Sequence, residues 1–239
     1  MSDPIQATGS CLQALSDQFR AVTNNLANAD TVGYKSRRTA FAQALARAGV
    51  DPAATEVVGS LSLDLTQGPL LQTGRPLDVA LDGEGFFVLE TPDGPLYTRN
   101  GAFRTNASNQ LVDAAGNLVA GESGPIVIPP SASQEQVHVG RDGTIYADGQ
   151  AIGKLRMVRF EDPSVLTPRS SGAFVADDGA SPQTASPAVQ QGFREGSNVS
   201  VVEEMVKLIT ISRMYEANMK TLSATQDERL RSLLDVAMA

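Results

Sequence analysis

Tryptophan is absent, and cysteine and histidine occur once each, as Cys11 and His138. A lone cysteine excludes an internal disulfide. One Cys and one His far apart in sequence are poor material for a zinc cluster. No apolar run reaches the ~18 residues that a membrane span needs. The N-terminus lacks a basic stretch followed by an apolar one, so no cleavable secretion signal is read; export by a dedicated machine stays open. No basic patch offers phosphate neutralisation, which argues against a nucleic-acid partner.

What is there is unevenly placed. The 239 residues suffice for one large domain or two modest ones. Residues 46–193 hold nine basic and seventeen acidic side chains, and so account for the whole net charge of -8. Residues 1–45 hold four and three, and residues 194–239 six and seven. Nearly neutral ends can approach other chains without strong repulsion.

The first segment reads as a helix, with Ser2-Asp3-Pro4 offering a cap and a first-turn proline. Leu12, Leu15, Phe19, Val22 and Leu26 recur at spacings of 3, 4, 3 and 4, a heptad seam. Asn28, Asp30 and Gly33 end it. A shorter helix is expected over residues 38–48, with Phe41 and Leu45 on one face. At the other end, Ser200-Val201-Val202-Glu203 reads as a capping box, and neither Gly nor Pro follows. Met205, Leu208, Tyr215, Met219 and Leu222 fall on a heptad stripe, interrupted by Ser212. A helix of roughly 37 residues is about 55 Å long and cannot bury its seam on itself.

The middle differs in kind. Apart from Pro4 it holds every proline, and its glycine is dense. Gly85-Phe86-Phe87-Val88-Leu89 leads through Pro92-Asp93-Gly94 to Leu96-Tyr97-Thr98. Val137-His138-Val139 leads through Asp142-Gly143 to Thr144-Ile145-Tyr146. Asp-Gly between apolar runs is a strong hairpin signal. The segment 162–192, rich in Ser, Pro, Gly and Ala, is expected to be a long return path. The expected class is α+β: paired long terminal α-helices forming a coiled-coil-like core element, plus a central, mainly antiparallel β-domain. The expected divisions are 1–36 (helix and loop), 37–67 (short helix and linker), 68–192 (β-rich domain with the return loop) and 193–239 (C-terminal helix).

Tests for chemistry come out blank. Asp82-Gly83-Glu84-Gly85 resembles half of a dinucleotide loop, but Val88 stands where the third glycine belongs, so a tight turn is read. Glu203 and Glu204 suit the first turn of a helix, where carboxylates favour the dipole, better than an acid pair. Asp177-Asp178-Gly179 lacks the distal ligand of a calcium loop. His138 alternates with valines in a strand, as a surface or packed residue rather than a triad base. No catalytic residue, metal, cofactor or small-molecule substrate is expected. An apolar helical stripe more often belongs to a chain's own core than to an interface. Two heptad stripes at opposite ends, flanking a middle able to fold alone, point instead to partner helices. A ligand-binding β-domain with dimerising ends is the rival reading, and needs a pocket with convergent polar groups.

Asn24-Asn25-Leu26-Ala27-Asn28-Ala29-Asp30-Thr31-Val32-Gly33-Tyr34-Lys35 resembles the N-terminal signature of the flagellar axial proteins, the rod and hook family. Arg75-Pro76-Leu77-Asp78-Val79-Ala80-Leu81, Gly85-Phe86-Phe87-Val88 and Tyr97-Thr98-Arg99-Asn100-Gly101-Ala102-Phe103 resemble its central block. Glu195-Gly196-Ser197-Asn198-Val199, with Glu203-Glu204-Met205 and Tyr215-Glu216-Ala217-Asn218, resembles its C-terminal signature. Within the family the chain is most similar to basal-body rod proteins. The short interval between Lys35 and Arg75 favours the proximal rod type, with the distal type second.

The resemblance implies a structural subunit of the flagellar basal body. It would assemble with itself and with other proximal and distal rod subunits into a hollow shaft that crosses the periplasm and transmits torque. It would be delivered by the flagellar export apparatus without a cleaved signal peptide. The residues expected to pack between subunits are Leu12, Leu15, Phe19, Val22, Asn24, Asn25, Leu26, Asn28, Gly33 and Tyr34, with Val202, Met205, Leu208, Ile209, Tyr215, Asn218, Met219 and Leu222. Asn24, Asn25 and Asn28 either fix register by hydrogen bonds between subunits or cap the helix end. Gly33 is expected in a conformation other residues resist.

Overall fold

Alternating apolar runs and turn dipeptides produce an antiparallel β-system in the middle of the chain. The computed structural model describes residues 4–41, 59–132, 136–169 and 172–238. Two compact units form. One contains residues 1–27, 37–62 and 200–239; the other contains 28–36 and 63–199.

In the second unit the largest sheet has ten strands. Its centre is the hairpin Phe86–Thr91 with Gly94–Thr98, paired from Phe87↔Thr98 to Thr91↔Gly94. Successive side chains on a strand point to opposite faces, and here both faces are covered. Phe87 and Leu89 enter a core with Leu81, Phe103, Val119, Ile126, Ile145, Leu155 and Val189. Phe86 and Val88 enter a second core with Tyr97, Val158, Leu166 and Phe174. Edge-to-face contacts order the rings: Phe87–Phe103 at 5.2 Å, Phe86–Phe174 at 5.7 Å and Tyr97–Phe160 at 4.8 Å. Burial on both faces explains why this strand is a continuous apolar run rather than an alternating one.

Val137–Val139, Thr144–Ala147 and Gln150–Lys154 form a three-stranded antiparallel sheet. Val137 and Val139 are buried while His138 faces out near Tyr146, as alternation predicts. The segment expected as a return path carries strands instead: Leu166–Pro168, Ala173–Ala176, Gln183–Thr184 and Ala188–Gln191. Strand pairing there satisfies backbone groups that a loop would have to leave to water. Ala188–Gln191 pairs with Val79–Asp82, and Phe193–Glu195 with Leu70–Gln72.

The first unit holds helix α1 (Pro4–Ala27, 24 residues) and helix α2 (Val201–Met238, 38 residues). It also holds the paired strands Arg37–Phe41 and Gly59–Leu63. The helix expected from residue 38 is therefore a strand over 37–41, and residues 42–48 lie outside the described residues. The expected coiled-coil-like core of paired long helices is also overturned. The two described helices are unequal, and among the described side chains their shared apolar core is Leu15, Val22 and Ile211, with Leu208 packed against it. Phe19 is exposed, as are Met205, Tyr215 and Met219. Small and polar side chains take the covered positions instead: Ala14, Ala21 and Asn25 on α1, and Glu204 on α2. Of the heptad residues, Leu15, Val22 and Leu208 do meet in that core, while Phe19, Met205, Tyr215 and Met219 are exposed.

Phe87→Ala should destabilise the β-unit by about 3–5 kcal/mol, because a fully buried ring leaves a cavity. Leu71→Ala, at an exposed position, should change stability by less than about 0.5 kcal/mol. Urea unfolding of both variants measures the contrast.

Candidate assembly site

Three quoted signature segments meet at one buried carboxylate. Lys35 follows the turn 28–33, Arg99 follows the strand Gly94–Thr98, and Glu195 ends the strand Phe193–Glu195. Lys35 and Glu195 have 0% side-chain exposure, and Lys35 Nζ donates to Glu195 Oε1 at 2.6 Å. The same ammonium donates to Thr66 O at 2.6 Å. The Gly68 N–H reaches Glu195 Oε1 at 3.0 Å, and Arg99 Nη1 reaches Oε2 at 3.4 Å. Arg99 Nη2 also donates to Gly83 O at 2.8 Å, and its guanidinium stands over the Phe86 ring at 5.5 Å. One carboxylate thus neutralises two buried cations and takes a backbone donor as well. That multiplicity is what makes a buried ion site tolerable.

Backbone geometry brings these groups together. Gly33 adopts φ +68, and its N–H donates to Glu195 O at 2.8 Å. A Cβ there would lie 2.5 Å from Asn100 N. The left-handed conformation and the close approach both require glycine. Gly68 is equally constrained, since a Cβ would sit 2.2 Å from Gly196 O. Asn198 completes the knot: the Ser36 N–H donates to its Oδ1 at 2.7 Å, and its Nδ2 donates to Asp64 O at 2.8 Å. Burial pulls Lys35 below its usual value of 10.5, with Glu195 opposing the shift. Burial likewise lowers Arg99 from its usual value, against Glu195.

The helical unit has its own polar anchor. Asn25 Nδ2 donates to Arg37 O at 2.9 Å, and its Oδ1 accepts from the Arg37 N–H at 2.8 Å. Its Nδ2 also meets Glu204 Oε2 at 3.1 Å, and Glu204 Oε1 accepts from Lys207 Nζ at 2.6 Å. An asparagine that pairs with both backbone groups of one residue sets where the chain re-enters after the signature turn.

The residues singled out from the sequence divide. Leu15, Val22, Asn25, Gly33 and Tyr34 are buried; Leu12, Asn24, Leu26 and Asn28 are half-buried; Phe19 is exposed. On α2, Leu208, Asn218 and Leu222 are half-buried, while Val202, Met205, Ile209, Tyr215 and Met219 are exposed. Val202 reaches 72% exposure, and Val201, Val206 and Met214 are exposed too. Val201, Val202, Met205, Val206 and Ile209 thus form one broad exposed apolar face on the first turns of α2. Lys35, Arg99, Glu195 and Asn198 stand in the quoted signature segments with no role assigned from the sequence, and Glu204 is read there only as a first-turn carboxylate.

Comparison with known proteins follows the same three segments. Residues 5–35 match a family described as flagella basal body rod protein. Residues 80–147 match the flagellar hook protein FlgE/F/G D1 domain, and residues 190–236 the flagellar basal body rod FlgEFG protein C-terminal family. The flagellar basal-body rod protein FlgF of Mesorhizobium japonicum is 28% identical over 98% of both chains. FlgF of Caulobacter vibrioides is 35% identical over 86% of both. The basal-body rod protein FlgG of Buchnera aphidicola (subsp. Schizaphis graminum) is 32% identical over 96% of both.

Glu195→Ala leaves two buried cations without their carboxylate and should destabilise the β-unit by about 3–5 kcal/mol in thermal or urea unfolding. Lys35 should titrate below 10.5 when its Nζ is followed by NMR. The sign follows from linkage: above its lowered folded value Lys35 has released a proton that the unfolded chain still holds. Over the window up to 10.5 its contribution to stability therefore rises with pH.

Proposed function

This chain belongs to the flagellar basal-body rod protein family, and from that premise we propose that it is a proximal-type subunit of the rod. It is a structural protein, not an enzyme, like the rod proteins it matches along almost its whole length. The observation that carries the proximal reading is the match to FlgF with few insertions. The Mesorhizobium japonicum alignment covers 98% of this chain in 239 positions, whereas that to FlgG of Buchnera aphidicola (subsp. Schizaphis graminum) covers 96% of it in 265. The FlgG likeness keeps a distal rod subunit as the second reading.

The subunit works by contact rather than chemistry. The exposed apolar residues of α2, led by Val202, Met205, Ile209, Tyr215 and Met219, meet neighbouring rod subunits and are buried on assembly. Burying such side chains stabilises each contact by ~25 cal/mol per Å² of apolar area. Repeated head-to-tail contacts of this kind generate a helical shaft rather than a closed dimer. The shaft crosses the periplasm, carries torque and passes exported subunits. The chain reaches it through the flagellar export apparatus, with its N-terminus uncleaved.

Val202→Asp with Ile209→Asp places charges on that surface without touching the β-unit. The expected result is loss of motility and of the protein from purified basal bodies, with the urea midpoint of the β-unit unchanged. Motile cells with intact rods would sink the assembly role of this surface. Complementing a strain lacking its proximal rod subunit, but not one lacking its distal subunit, separates the two rod readings. N-terminal sequencing of the protein in basal bodies checks the uncleaved end.

A further inference from the structure

Residues 188–199 cross the β-unit as one extended segment, and their partners lie far upstream. Ala188–Gln191 pairs with Val79–Asp82, and Phe193–Glu195 with Leu70–Gln72. Val189 fills the main core. The buried carboxylate of Glu195 holds Lys35, Gly68 and Arg99. Gln191 Nε2 donates to Pro76 O and Val137 O, each at 2.8 Å, and its Oε1 accepts from the Val139 N–H at 3.2 Å. Asn198 holds Ser36 and Asp64. A dozen consecutive residues thus clamp four separate stretches, 28–36, 64–72, 76–82 and 137–141, and hold Arg99 beside them.

We propose that residues 188–199 are a closing strap, which completes the β-unit as a late step and opens as one cooperative piece. Two physical arguments carry this. Contacts across such sequence separations need long loops closed first, so they form after the local hairpins. Lys35 has Glu195 as its only ion-pair partner within 4.0 Å among the described residues, so its buried ammonium is uncompensated until the strap arrives. The turn 28–36 and the segment 63–72 therefore stay loose while the strap is off, whereas the central hairpin 86–98 has its own partners.

Native-state hydrogen exchange on the full chain, read by mass spectrometry in low urea, tests this. Peptides covering 28–36, 63–72 and 188–199 should exchange through one opening with a common urea dependence, below the urea that opens 86–98. Glu195→Gln should lower protection in all three at least ~10-fold together. Residues 86–98 should change less than ~2-fold. If that variant does not fold, Lys35→Met with Glu195→Leu removes both charges, and its three segments should again open together. Independent opening of the three, or opening only with 86–98, overturns the strap. Neither outcome depends on whether the chain builds a rod, which the motility and basal-body assays decide separately.

Discussion

The Glu195 carboxylate is the contact on which the rest of the β-unit depends. It lies fully inside the protein, and its charge is held by Lys35, Arg99 and the Gly68 N–H. None of these partners is local in sequence, and without the carboxylate Lys35 and Arg99 keep only backbone acceptors, Thr66 O and Gly83 O, against their buried charges. Buried ion sites contribute little net stability against an apolar replacement, yet breaking one from a single side is strongly destabilising. Their value is in specifying one arrangement. Here the arrangement is the meeting of a turn that follows α1, the end of a core strand and the segment that precedes α2.

That constraint explains two glycines and an asparagine that otherwise look unrelated. Gly33 and Gly68 each approach another backbone too closely for any Cβ. Asn198 fills the remaining space with an amide that serves both Ser36 and Asp64. Most of the polar groups brought inward by the ion site are thereby paired, the exception being the buried Arg99 Nε, which has no hydrogen-bond partner. The β-cores lie around the same hairpin, so the Phe86 ring borders the Arg99 guanidinium on one face while Phe87 packs on Phe103 on the other.

The helical unit follows a different logic. Its small internal core and its Asn25–Glu204 anchor define a fold, but much of the apolar surface of α2 is left uncovered. Exposed apolar helix surface of this kind is what the proposed contacts with neighbouring subunits would cover. The β-unit is closed by its own chain, and the α2 surface calls for neighbours. Membership of the rod family fits that division.

Much of this was legible in the sequence. Hairpins at Asp93-Gly94 and Asp142-Gly143, the apolar strand at 86–89, the strand placement of His138 and the two terminal helices follow from local patterns whose physics is local. The three signature segments likewise carried the family. The helix expected over 38–48 fails at its start because strand pairing with Gly59–Leu63 outweighs local propensity, which is a weak prior. The heptad spacing finds Leu15, Val22 and Leu208 in the shared core but also counts Phe19, Met205, Tyr215 and Met219, which are exposed, because periodicity identifies an apolar stripe but not which rows are covered; Ala21, Asn25 and Glu204 are buried by fit and hydrogen bonding. The Lys35–Glu195 pair joins residues 160 positions apart, and no local pattern reports such a contact. Composition and spacing determined that this chain has a β-rich middle between two helical ends; only the tertiary structure decided that one buried carboxylate ties the signatures together, because burial and charge compensation exist only once distant segments meet.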